Sequence, residues 1–120
     1  QEIEAADGVL FVTPEYNRSF SGVLKNAIDQ ASRPYGQSKW KGKPAAIVSV
    51  SPSPLSASMA AQHLRNVVAV LGMPTLNLPE MYIQWKDGLV DANGDIGPAS
   101  REFAQTFVNA FVDWVRRFKQ

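Results

Sequence analysis

The segment that most restricts the fold is an apolar run that passes through a compact polar turn into an amphipathic helix. Ala6-Asp7-Gly8-Val9-Leu10-Phe11-Val12 leads into Thr13-Pro14-Glu15-Tyr16-Asn17, after which Val23, Leu24, Ala27, Ile28 and Ala31 recur on one helical face. A Val, Leu and Phe run without polar alternation is the pattern of a strand buried on both faces of a parallel sheet. The turn after such a strand meets the free amides of the next helix, where α/β sheets bind ligands.

The alternation continues along the chain. Pro44 to Val50 reads as a second buried strand. The next helix carries Ala60, Leu64, Val67, Val68 and Leu71 on one face and stops at Gly72, with Pro74 beyond it. Thr75-Leu76-Asn77-Leu78 is expected to be a third strand. A turn at Asn93-Gly94 leads to a last helix opened by Pro98, with Phe103, Phe107, Phe111, Trp114 and Phe118 on its buried side. The predicted strands lie near 8–13, 44–50 and 75–78, and the helices near 21–32, 58–71 and 98–118. This order predicts an α/β protein with a doubly wound parallel sheet.

Composition narrows the function. The 120 residues make one domain at most, and 45% hydrophobic content suffices for a core. A net charge of +1 with scattered basic residues argues against nucleic-acid binding. Arg116, Arg117 and Lys119 read as a solvated helix end whose cations offset the macrodipole. The lack of cysteine excludes disulfides, thiolate catalysis and thiolate metal sites, and is compatible with a cytoplasmic location. No run approaches the roughly 18 apolar residues of a membrane helix. Asp91-Ala92-Asn93-Gly94-Asp95 places its Gly fourth, where a calcium loop needs it sixth, so metal binding is rejected. His63, beside Met59 and Asn66 in a helix, reads as a packing or interface residue, and Glu80 as structural.

Thr13 to Asn17, Ser19, Gly22 and Leu24 to Asp29 together resemble the signature of the NADPH-dependent FMN reductase family of flavodoxin-like flavoproteins, which includes quinone, chromate and azo-dye reductases. The resemblance continues through Ser32-Arg33-Pro34, Trp40-Lys41-Gly42-Lys43-Pro44, Gln62-His63-Leu64-Arg65 and Pro79-Glu80. It implies a flavodoxin-like sheet of order 2-1-3-4-5, of which residues 1–120 would supply the last three βα units. On this reading the first two strands and the family's phosphate loop, G-S-x-R-x-x-S-x-N, are absent from the chain. Residues 1–120 are then the carboxy-terminal part of one domain, with an exposed sheet edge that another segment completes.

The resemblance further implies an FMN-dependent NAD(P)H oxidoreductase that transfers hydride from NADPH to flavin and on to quinone, azo, metal-oxyanion or flavin acceptors. No side chain need act as acid or nucleophile, because the flavin carries the chemistry. Pro14, Glu15, Tyr16 and Asn17 are implied to contact the flavin, largely through main-chain atoms, and Ser51 aligns with another contact. Arg18 is a candidate for a nicotinamide phosphate. Ser53, Ser56 and Ala57 stand where relatives commonly carry glycine. Relatives imply a homodimer or homotetramer. The alternative is a truncated or degenerate module with a non-catalytic assembly role, which the lost glycines favour and the intact turn opposes.

Overall fold

Three strands form, and all run in the same direction. In the computed structural model, which describes residues 1–119, β1 (Val9–Pro14), β2 (Ala45–Ser51) and β3 (Met81–Gln84) make one parallel sheet in the order β1-β2-β3. Val9 lies opposite Ala45, and Val48 opposite Met81. A four-residue α1 (Glu2–Ala5) precedes β1, while α2 (Gly22–Ala31) and α3 (Ser58–Val70) make the crossovers and α4 (Pro98–Phe118) closes the chain.

Alternation along the strands divides the core in two. Phe11, Ala45 and Ile47 face α2 and α3, where they pack with Ile28, Leu64, Val68 and Trp40. Ala46 and Val48 face the other way, against Phe107 of α4. Trp40 joins the first core at both ends of its ring. It lies 5.6 Å from the Phe11 ring, and its Nε1 donates to Ile28 O at 2.8 Å, closing the end of α2. At the start of β1 the backbone and α4 nearly touch: a Cβ added to Gly8 would meet Val115 Cγ2 at 2.6 Å.

Three expectations are corrected. β1 is buried on one face only, since Phe11 and Thr13 are enclosed while Leu10 and Val12 on the other face are exposed. Residues 75–78 are not the third strand. Leu76 N donates to Ala45 O and Thr75 forms a single bridge, after which Pro79, lacking an N–H, cannot extend a ladder. Pairing resumes at Met81, so Pro79-Glu80 precedes β3 instead of following it. The aromatic face of α4 is also not uniformly buried. Phe107 is 2% exposed, whereas Phe103 and Phe118 are 50% and 42% exposed. A 21-residue helix is about 31 Å long and the seven residues of β2 about 23 Å, so the ends of α4 overhang the sheet.

Candidate functional site

Two loops rise side by side from the carboxyl ends of β1 and β2, and buried hydroxyls anchor both. Thr13 and Ser49 are register partners, exposed by 1% and 0%. Thr13 Oγ1 donates to Pro14 O at 2.7 Å and accepts from Ser21 N at 3.2 Å, which ties the two ends of the first loop together. Ser49 Oγ donates to Ser56 O at 3.4 Å and holds the second loop more loosely.

Within the first loop, Tyr16 and Ser19 exchange backbone hydrogen bonds at 2.9 and 3.1 Å around Asn17 and Arg18. Both central residues have positive φ, 53° and 67°, as a type I′ two-residue turn requires. Asn accepts this conformation because its short polar side chain bonds locally. The Asn17 and Arg18 amides have no protein acceptor among the described residues. Successive amides of this kind form a concave donor surface. Ser21 then starts α2, its Oγ accepting from Leu24 N at 3.4 Å.

The second loop has the same backbone demand and different residues. Ser56 and Ala57 have φ of 53° and 61°, so the glycine-like conformation persists where glycine does not. Ala57 occupies the N-cap position of α3 and has no side chain to cap it. The missing acceptor comes from the first loop. Glu15 Oε2 accepts from Ala60 N at 3.1 Å, and its Oε1 lies 3.5 Å from Arg18 Nη1. The Glu15 side chain is only 7% exposed.

Of the sequence candidates, Pro14, Glu15, Tyr16, Asn17 and Arg18 come together in the first loop. Tyr16 is exposed at the turn, whereas the Glu15 side chain points into the protein. Ser51 lies at the end of β2. Its hydroxyl accepts from Ser53 N at 3.1 Å and its carbonyl from Trp85 N at 2.9 Å, so it belongs to the frame of the second loop.

Sequence reasoning missed a contact at His63. Its Nδ1 lies 3.1 Å from Ser19 Oγ, so α3 touches the turn directly. A groove of about 560 Å³ beside this contact is lined by Ser19, Phe20, Lys25, Gln62, His63 and Asn66. Away from the loops, the Tyr82 hydroxyl donates to Glu80 and accepts from Gln62 Nε2 at 3.0 Å. Burial, with the Glu80 hydrogen bond, holds the Tyr82 phenol above its ordinary range. The 91–95 turn is self-contained: Asp91 Oδ1 accepts from Asn93 N and Asp95 N at 2.8 and 3.0 Å. Glu102, the twelfth residue counting from Asp91, belongs to α4.

The chain is similar to known flavoenzymes. The model of the family described as NADPH-dependent FMN reductase matches residues 1–86. A 2-hydroxy-1,4-benzoquinone reductase of Burkholderia sp is 51% identical over 117 residues, covering 97% of this chain and 64% of its own length. A quinone reductase of Pseudomonas putida is 49% identical over 116 residues, covering 97% and 62%. The solved structure of FerB, a flavoenzyme NAD(P)H:(acceptor) oxidoreductase from Paracoccus denitrificans, superposes with a TM-score of 0.92 at 47% identity, covering 98% of this chain and 65% of that one. The chain thus spans a little under two thirds of the length of these relatives.

Proposed function

The chain belongs to the NADPH-dependent FMN reductase family, with its flavodoxin-like α/β fold and parallel sheet, and from that premise we propose that the full-length protein is an FMN-dependent NAD(P)H oxidoreductase. The observation that carries this reading is the 13–21 loop, whose Asn17 and Arg18 amides, without a protein acceptor among the described residues, lie past the carboxyl end of β1 and suit the acceptor-rich pyrimidine edge of a flavin. FMN, when bound, supplies hydride chemistry between a reduced nicotinamide and an acceptor.

This chain's residues have other tasks. Pro14 and Asn17 shape a backbone edge that can line the ring, Tyr16 covers it from the exposed side, and Ser51 frames the neighbouring loop. Glu15 holds the two loops together from beneath. Arg18, with its side chain 58% exposed, is available to a nicotinamide phosphate. The groove that begins at Ser19 gives a second substrate an approach to the turn.

Quinones are the preferred acceptor class, since relatives carry quinone reductase names. Azo compounds, metal oxyanions and free flavin follow. The same names do not favour a non-catalytic assembly role. The three strands are assigned as the third to fifth of a 2-1-3-4-5 sheet, which accounts for Leu10 and Val12 being 41% and 59% exposed on the face of β1 away from α2 and α3. No helix of the described residues is long and apolar enough to cross a membrane. A cytoplasmic homodimer or homotetramer completes the reading.

The test is to purify the full-length gene product, titrate it with FMN and follow NADPH-driven reduction of a benzoquinone. Tyr16→Ala and Asn17→Ala are expected to weaken flavin binding or turnover. His63→Ala loosens the turn through Ser19 while leaving flavin reduction by NADPH within about threefold in stopped flow, less than 0.7 kcal/mol of barrier. Protein that neither binds FMN nor reduces a quinone overturns the reading.

A further inference from the structure

We propose that Glu15 is the positioning residue of this site: its carboxylate supplies the cap that α3 lacks and thereby fixes the separation of the two strand-end loops. The inference rests on the flavin reading above for its functional consequence, but the cap itself is independent of it.

Four observations converge. The N-cap residue of α3, Ala57, sits in a left-handed conformation and offers no side-chain acceptor. Ala57, Ala60 and Ala61 are 0% exposed, so an unpaired Ala60 N–H could not turn to water. Ala61 N is already satisfied by Ala57 O at 3.1 Å, leaving Ala60 N to Glu15 Oε2. The other oxygen of the same carboxylate meets Arg18, so one group links Arg18 of the first left-handed pair to the Ala60 amide in the first turn of α3, just after the left-handed pair Ser56-Ala57.

A negative charge at a helix start is favourable, since the exposed amides there carry partial positive charge. Here the charge comes from a residue 45 positions earlier, and none of the second loop's own hydrogen bonds, from Ser53 N to Ser51 Oγ, Ser56 N to Ser53 O and Ser58 N to Leu55 O, engages the Ala60 amide. Beyond the β1–β2 pairing, which ends at Pro14 and Val50, the Glu15 side chain spans the two loops, so its length bears on their separation. A flavin ring held across both loops would register a change in that length. This separates Glu15 from its neighbours: Tyr16 and Asn17 act toward the ligand, whereas Glu15 acts through α3.

The experiment compares Glu15→Gln, Glu15→Asp and Glu15→Ala in the full-length gene product. Glu15→Gln keeps an acceptor at the same reach, Glu15→Asp keeps the charge but falls one methylene short, and Glu15→Ala removes both. The first readout is hydrogen exchange at the Ala60 amide in flavin-free protein. Glu15→Gln should stay within about threefold of the native rate, while Glu15→Asp and Glu15→Ala exchange about tenfold or more faster, the scale set by a lost buried hydrogen bond. The second is FMN titration with the visible spectrum of the bound ring, in which affinity should follow the same order. Formate should partly restore Ala60 protection in Glu15→Ala. Glu15→Gln and Glu15→Asp carry the test if Glu15→Ala fails to fold. Unchanged Ala60 protection in Glu15→Asp, or equal loss in Glu15→Gln and Glu15→Asp, overturns the cap. Loss of protection with no change in FMN affinity overturns the positioning role. Native protein that binds no FMN sinks the flavin reading alone, and Ala60 exchange still decides the cap.

Discussion

The loops after β1 and β2 meet the same backbone demand in opposite ways. Each places two consecutive residues at positive φ. The first does so with Asn17 and Arg18 inside a hydrogen-bonded two-residue turn, tied at its base by Thr13. The second uses Ser56 and Ala57 after a turn closed from Ser56 N to Ser53 O at 2.9 Å, is tied to β2 through Ser49 and Ser51, and takes the acceptor for Ala60 N from Glu15 of the first loop. Both loops are held by local hydrogen bonds, but of the two the second also borrows a helix cap from its neighbour.

The largest expected effect falls on the self-sufficient loop. Thr13→Val keeps the shape of the buried side chain but leaves Ser21 N without its acceptor, and should cost about 1–3 kcal/mol in urea unfolding of the full-length gene product. A loss below about 0.5 kcal/mol would break the contrast between the loops. Ser49→Ala, at the register partner, removes one long bond and should cost about 1 kcal/mol or less.

Ala57→Gly should act in the opposite direction. Relief of a left-handed alanine is worth about 1–2 kcal/mol and the added chain entropy of glycine costs about 0.5–1 kcal/mol, so a net gain of roughly 0.5–1 kcal/mol is expected as a higher urea midpoint at unchanged slope. Destabilisation would mean that the Ala57 methyl, buried at 0% exposure, contributes more packing than its conformation costs. The smallest effect is at Asn17, where asparagine already tolerates positive φ. Asn17→Gly should change stability by less than about 0.5 kcal/mol.

Much of this was legible. The strand-turn-helix of residues 9–31, the second strand and the last helix opened by Pro98 follow from apolar period, proline and glycine placement, and these signals are local. The third strand was not. Thr75 to Leu78 comes first after the end of α3, where a strand is expected, yet Met81 to Gln84 makes the ladder, because pairing was decided by which segment could lie along β2 past Pro79. Phe103 and Phe118 share the periodicity of Phe107, but periodicity does not say where a sheet ends. The site divided in the same manner. The first loop announced itself through Thr13-Pro14-Glu15-Tyr16-Asn17, whereas the contact from His63 to Ser19 spans 44 positions and left no mark in the local pattern.

The sequence by itself determined the parallel α/β alternation, the position of the first loop and the family resemblance, because each depends on neighbours along the chain: apolar spacing, a proline and an asparagine at a turn, a serine before a helix. Only the tertiary structure decided what Glu15 does. A carboxylate in a polar turn can face solvent, a ligand or an arginine, and the choice here was made by the bare start of α3. Ala57 has no capping oxygen and Ala60 no access to water, so the nearest acceptor across the sheet had to turn inward.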